Sequence, residues 1–394
     1  MSIPYSKVRH AGGKTFNYYI NSFAEDNDNE VTLIAKVLPE EEIEVNNINP
    51  KIHTLLVRTP QNIIKKWLSY LKSVNSKFNP YYPYGNVLTK EIFDQVENKL
   101  EILHNEGYHP DVIILEWTWM MLFIDKVKRY FPNAKYVASE HDVSFLGAKR
   151  EMDRETGLRK IYRKLYYYNL KERELDCIRK CDYVVTHNHK DRRILLDNGI
   201  ENTKVGVIVP YFEKPEVVSR NNVGDDIIFY GAMNRRENEI SAIWFIKNVM
   251  PRISDLNVRY IVIGNKPSEN LNKFASEKII ITGFVEDVRP YFASARCLAA
   301  PIQAGAGIKV KILEAMAMGV PVLTNSIGIE GIDARDGYEY LHCETPEEYE
   351  KTIRSIIKGD VDSEKIAGNA LDMINSNYDM KRSFLTYSQK VYAL

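Results

Sequence analysis

Short apolar runs recur along the chain, each followed by a stretch with helical spacing, and this alternation limits the possible folds more than any other feature. VTLIAKVL from Val31, DVIILEW from Asp111, KYVASEH from Lys135, DYVVTHN from Asp182 and KVGVIVPYF from Lys204 form a first series. They are rich in Val and Ile and lack strict apolar–polar alternation, which marks strands buried on both faces. Amphipathic stretches such as FIDKVKRYF and Arg159 to Lys180 lie between them. A strand–helix–strand order implies a parallel sheet with helices on both faces.

The series breaks after Tyr211. EKPEVVSRNNVGDD is polar, contains Pro215 and Gly224, and reads as a linker. A second series follows: DIIFYGAM, VRYIVIGN, KIIITGF, CLAAPI and VPVLTN. Two doubly wound α/β domains in tandem are the simplest architecture, over residues 1–212 and 213–375. The amphipathic tail within 376–394 is expected to pack back on the first domain. At 394 residues and 44% apolar content the chain can fill two cores. Ligands of such sheets bind beyond the strand C-termini, which in a tandem pair means the cleft between the domains.

Lys+Arg and Asp+Glu both number 53, so no basic excess calls for nucleic acid as a partner. Any phosphate site must be local. Cys177, Cys181, Cys297 and Cys343 form no C-x-x-C pair, which suits a reducing compartment. The N-terminus shows no apolar signal core, and no run approaches the roughly 20 apolar residues of a spanning helix. The expectation is a cytoplasmic protein, at most a peripheral one at the inner face of a membrane.

Ala300 to Asn325, APIQAGAGIKVKILEAMAMGVPVLTN, carries the most chemistry. A strand ends at Pro301, a small-residue loop Gly305-Ala306-Gly307 follows, and a helix runs through Lys309, Lys311 and Glu314 to a stop at Gly319. Small residues let backbone N–H groups approach a phosphate, and a helix N-terminus offers it partial positive charge. Lys309 and Lys311 add full charges, and Glu314 is placed to accept hydrogen bonds from a ribose diol. The competing reading is a turn before an Ala-rich packing helix with its lysines in solvent.

This segment resembles the donor-binding segment of retaining GT-B glycosyltransferases of family 4, in the branch that makes bacterial surface polysaccharides. Other pieces match in order: HAGGKTFN (His10 to Asn17), SEHDVSF around His141, FYGAMNRRENEISAIWFIKNVMPRI, ITGFVEDVRPYFASARCLAAP, SIGIEGI and DGYEYLHCETPEEY. The likeness covers nearly all of residues 8–390 and is strongest from Phe229 to Glu350. It implies a GT-B fold: two tandem Rossmann-like domains with a cleft between them. It further implies a nucleotide diphosphate sugar as donor, a glycan or lipid-linked acceptor, retention of anomeric configuration, and no cofactor or metal. Many relatives carry two glutamates eight positions apart. Glu314 matches the second; the first falls on Ala306, which is not acidic. Backbone groups of Ala306, Gly307 and Ile308 then stand in for it.

The resemblance also gives meaning to other residues. Gly12-Gly13, before a helical pattern, permit close backbone approach to a diphosphate or acceptor, or form an ordinary strand-to-helix turn. His141 lies at a strand end, in reach of the transferring sugar or the acceptor. Glu116, at another strand end, is a candidate for an acceptor hydroxyl. Arg235, Arg236 and Asn238 follow the strand DIIFYGAM, where a guanidinium fork suits a leaving diphosphate. Sequence does not decide which arginine reaches in, or whether Asn238 caps its helix. Phe284 and Val285 correspond to main-chain contacts with the nucleobase. The aromatic segment from Gln61, with Tyr82 and Tyr84, is the better candidate for an acceptor-side loop, and with the segment from Arg159 it is a candidate for membrane contact. Asp26-Asn27-Asp28, Asp360-Val361-Asp362 and His187-Asn188-His189 resemble metal strings, but the first two sit in polar turns and the last lacks a third ligand. Rival readings are a GT-B-like nucleotide-sugar epimerase or hydrolase and a binding-only partner in a polysaccharide assembly complex. A dehydrogenase is disfavoured because no G-x-G-x-x-G follows the early strands.

Overall fold

The computed structural model describes residues 3–6, 8, 11–58, 90–209, 217–305 and 307–394. Tyr82, Tyr84 and the rest of the aromatic segment from Gln61, together with His10 and Ala306, lie outside the described residues. The chain divides into two units, Met1–Phe212 with Met380–Leu394, and Glu213–Asp379.

Unit 1 contains strands β1 (Val31–Val37), β2 (Ile52–Arg58), β3 (Val112–Glu116), β4 (Lys135–Glu140), β5 (Tyr183–Thr186) and β6 (Val205–Val207). Its helices are α1 (Ala11–Glu25), α2 (Lys90–Asn105), α3 (Ile124–Tyr130), α4 (Ser144–Arg154), α5 (Gly157–Arg179) and α6 (His189–Asp197). β1 and β2 form a two-stranded sheet, and β3, β4, β5 and β6 form a separate four-stranded sheet in that order; every pair is parallel. The inner strands β4 and β5 are buried along almost their whole length. β1 and β3 are only half-buried, unlike the two-faced burial their sequences suggest, because β3 stands at the edge of its ladder.

The C-terminal helix of the chain (Met380–Tyr392) is part of this unit. Its Phe384 and Tyr387 meet α1 through Phe23 at ring-centroid distances of 5.0 and 5.5 Å, and Tyr19 bonds Ser383. Tyr392 donates to Asp26 Oδ2 at 3.0 Å, so the first acidic string serves as a turn and an anchor. Asn188 accepts from the backbone of Asp191 at 2.7 Å and caps α6, while Asp362 caps a helix of unit 2.

Unit 2 contains β7 (Ile227–Tyr230), β8 (Tyr260–Ile263), β9 (Ile279–Gly283), β10 (Cys297–Ala300), β11 (Val322–Thr324) and β12 (Leu341–His342). Its helices are α7 (Arg236–Asn248), α8 (Glu269–Asn272), α9 (Arg289–Ser294), α10 (Val310–Ala317), α11 (Pro346–Lys358) and α12 (Ser363–Asn377), so the C-terminal helix is α13. The sheet order is β12-β11-β10-β7-β8-β9, all parallel. Counted within the unit this is the doubly wound order 3-2-1-4-5-6, and the winding reverses between β7 and β10. Stacked Phe245 and Tyr260 (4.3 Å) and the edge of Tyr349 fill the core behind that point. Gly319, at φ 73°, ends α10 as a glycine in the left-handed region should.

Candidate functional site

In unit 2 the residues singled out after two different strands meet where the winding reverses. β7 ends at Tyr230 and the chain leaves through Gly231. Gly231 N–H donates to Ile263 O at 3.0 Å, and Met233 N–H to Asn265 O at 3.0 Å, which ties this loop to the end of β8. A side chain on Gly264 would run into Gly231 O, so glycine is what permits the approach. The loop after β10 is fixed from the other side. Gln303 N–H donates to Ser241 Oγ at 3.1 Å, and Asn325 Nδ2 to Ile302 O at 2.8 Å. Gly305 (φ 111°) and Gly307 (φ 73°) adopt backbone conformations that favour glycine.

Across this junction the Lys311 ammonium donates to Asn238 Oδ1 and sits 4.9 Å above the ring of Phe229. Asn238 is buried and donates its amide to Ala232 O at 2.8 Å. It therefore fastens the β7 loop and receives the lysine; it does not occupy the cap position, where Arg235 stands. Burial pushes the Lys311 ammonium down to about 7, and the nearby Arg235 charge pushes the same way, with Glu237 and Glu314 opposing. Lys309 is only 9% exposed; it is the residue before the helix, not within it, and its Nζ donates to Gly307 O at 2.5 Å. The reading that leaves both lysines in solvent is thus overturned.

Arg235 is exposed and paired with Glu237 at 2.5 Å; Arg236 is exposed. Glu314, one turn beyond Lys311, lies close enough to Tyr230 that its carboxylate, after burial, helps push the phenol up to about 12. Phe284, 67% exposed, and the less exposed Val285 follow Gly283 at the end of β9. Asp287 accepts from Arg289, so Glu286-Asp287 precede α9 without starting it. Ile308 joins Gly307 to Lys309 at the α10 entrance.

Unit 1 gathers a second group at the ends of β3 and β4. His141 Nε2 and Glu116 Oε1 are 2.6 Å apart, so Glu116 is engaged by the imidazole rather than held open. Trp117 stacks on His141 (4.9 Å, 19°), and the edge of His187 meets it at 4.7 Å. Gly12 and Gly13 lie in the first turn of α1, not ahead of it. A Cβ on Gly12 would come within 3.2 Å of both His141 Nδ1 and Trp117 Nε1, which explains a glycine inside a helix there. His187 Nδ1 bonds Ile208 O at 3.0 Å; burial, then the neighbouring His141, push it down to about 3. Glu140 turns away from His141 into the interior, where Thr118 donates to it at 2.9 Å and Glu174 lies beside it. Glu174 also accepts from Ser144 N–H at 3.0 Å, and burial pushes it up to about 8. Trp117, His187 and Glu174 were not singled out from sequence as members of this group. Only the His-Asn-His string drew notice, and for a different chemistry.

Residues 224–359 match the sequence model of the family Glycosyl transferases group 1. An uncharacterized 44.6 kDa protein in the cps region of Klebsiella pneumoniae is 27% identical over 170 residues, 40% of this chain. The match spans 44% of that relative, less than half its length. Among solved structures, Anabaena HepE in complex with UDP-glucose aligns with a TM-score of 0.65 at 13% identity, covering 100% of this chain and 99% of that one. The sucrose-phosphate synthase from Thermosynechococcus elongatus aligns with a TM-score of 0.68 at 10% identity, covering 99% and 94%. The chain has the GT-B fold. Among the described residues no helix is long and apolar enough to cross a membrane.

Proposed function

We propose that this chain is a retaining glycosyltransferase of family 4, which moves a sugar from a nucleotide diphosphate sugar to a glycan or lipid-linked acceptor in bacterial surface-polysaccharide synthesis. The observation that carries this is the junction of Lys311, Asn238 and Gly231 at the strand reversal, within the segment that matches Glycosyl transferases group 1. A parallel sheet binds phosphates at that position, where helix N-termini and glycine loops point at one spot. The cps-region relative supports the polysaccharide setting, and the UDP-glucose bound to HepE supports a UDP-sugar donor.

In this reading Glu314 holds the ribose and the main chain at Phe284-Val285 faces the base. Lys309, Lys311, Arg235 and the N-termini of α7 and α10 hold the diphosphate, with Arg236 and Ile308 bordering it. These cations neutralise the charge that grows on the leaving group as the glycosidic bond breaks, so no metal ion is required. The acceptor hydroxyl attacks from the face the nucleotide leaves, and the departing phosphate takes its proton. Unit 1, with Gly12, Gly13, Glu116 and His141, serves the acceptor and the transferring sugar. The protein works in the cytoplasm at the inner membrane face.

The test is a screen of UDP-, GDP- and dTDP-sugars for thermal stabilisation and nucleotide release, with and without cell-envelope glycolipid. One donor that stabilises the protein and releases nucleotide only with acceptor supports transfer. Release that needs no acceptor points to a hydrolase, and binding without release to a silent partner.

A further inference from the structure

The group in unit 1 has a hydrogen-bond polarity that can be read from its geometry. A carboxylate oxygen only accepts, so the 2.6 Å contact with Glu116 puts a proton on His141 Nε2. In a neutral imidazole the other nitrogen then carries a lone pair. That nitrogen, Nδ1, faces the side-chain-free side of Gly12, 3.2 Å from where a Cβ would stand. Trp117 Nε1 faces the same point at the same distance, and an indole nitrogen can only donate. Among the described residues neither nitrogen meets a hydrogen-bonding partner, and Gly12, Trp117 and His141 are all partly exposed.

The indole is not there by default. Trp117 holds φ at 71°, in a region that bulky residues rarely enter, and such strain persists only where the surroundings impose it. Here its backbone N–H donates to Ser139 O at 3.1 Å, and its ring is held between Phe16 (5.3 Å) and His141 (4.9 Å). His187 meets His141 edge-on as a neutral ring, its Nδ1 proton spent on Ile208 O.

We infer that Glu116 is a positioning residue that fixes the tautomer of His141, and that Trp117 and His141 together form a donor–acceptor pair beside Gly12 that reads one neutral hydroxyl of a sugar. A hydroxyl donates to Nδ1 and accepts from Nε1–H at once. A phosphate or carboxylate oxygen satisfies the indole and opposes the imidazole lone pair, so the pair selects against an anion. This inference rests on the glycosyltransferase reading for its ligand, but its tautomer claim stands without it.

The experiment is nitrogen-15 NMR of the histidine rings at pH 8 in the full chain, with His141 assigned through His141→Gln. In the wild type we expect Nε2 protonated and Nδ1 bare. Glu116→Gln, whose amide can donate to Nε2, should give a mixture of tautomers. Trp117→Phe retains the stacking ring and should keep the wild-type tautomer, while lowering kcat/KM roughly five-fold for the donor found in the screen, the loss of one hydrogen bond. Glu116→Asp should recover the wild-type tautomer in part. A protonated Nδ1 in the wild type, or an unchanged spectrum in Glu116→Gln, overturns the role of Glu116. Undiminished turnover in Trp117→Phe overturns the hydroxyl pair. If no donor is found, the glycosyltransferase reading fails, and the spectra still decide the tautomer.

Discussion

Lys311 should take up a proton when the donor binds. Its ammonium is held down to about 7 by burial and by the Arg235 charge. At pH 7.5 roughly three quarters of the molecules then carry a neutral lysine, against an ordinary value of about 10.4. A diphosphate placed at the junction brings negative charge within reach and restores the charged form. The folded, empty protein has the depressed value and the complex the higher one, so binding between them consumes protons: about 0.75 per donor at pH 7.5. Affinity should weaken toward ten-fold per pH unit above about 7, until the bound lysine itself titrates. The assay is calorimetric titration with UDP-glucose, or the donor that the screen selects, in two buffers of different ionisation heat. This donor has no phosphate group that titrates near neutrality. Lys311→Met keeps an apolar stem over Phe229 and should abolish the buffer dependence while weakening binding about 10- to 100-fold, the loss of a charge-assisted hydrogen bond. Equal heats in the two buffers for the wild type would refute the reasoning.

Three further outcomes follow from the same structure. Glu314→Ala should lower affinity for the nucleoside diphosphate about ten-fold yet leave inorganic pyrophosphate binding nearly unchanged, since it removes the ribose contact only; isothermal titration checks both. Gly231→Ala should displace Lys311 and Asn238, whose side-chain nitrogens lie 3.0 and 2.9 Å from the added Cβ, and force alanine to φ 156°. The expected loss is about 1–3 kcal/mol of stability with donor binding, read by thermal melts with and without donor. The buried Glu140–Glu174 pair keeps a proton that the unfolded chain loses, with Glu174 raised to about 8. Stability from this group is present below the ordinary glutamate value and falls as pH rises toward 8, by about 1.4 kcal/mol per pH unit per proton. Glu174→Gln should make that slope shallower between pH 5.5 and 7.5, leaving the part due to the buried Glu140, as measured by melting temperature.

Most strands of both units were legible because runs such as DIIFYGAM and CLAAPI are short and uniformly apolar, as strands of a parallel sheet are. β2, IHTLLVR, was not singled out; His53 and Thr54 interrupt its apolar character, and it is exposed along part of one face. β12 has two residues, too few for a pattern. The glycines at 305, 307 and 319 were readable as points of unusual backbone, and they have positive φ. Pairings were less readable. Lys311 and Asn238 stand 73 positions apart and His141 and Glu116 25 apart, and nothing in the local pattern says that they touch. The rules of exposure also mislead at such a site. Lysines are normally solvated, yet Lys309 is nearly buried, because the loop carbonyl of Gly307 supplies its ammonium with a partner. Trp117 left no trace in sequence, since a tryptophan gives no warning that its backbone is left-handed.

The central claim is that the loops after β7 and β10 grip a nucleoside diphosphate. A crystal structure of the chain with UDP-glucose tests it most directly. The account predicts phosphate oxygens against the Gly231 loop and the Lys311 ammonium, with the ribose on Glu314. A nucleotide bound away from these loops, or Lys311 still docked on Asn238 with the diphosphate elsewhere, would contradict it.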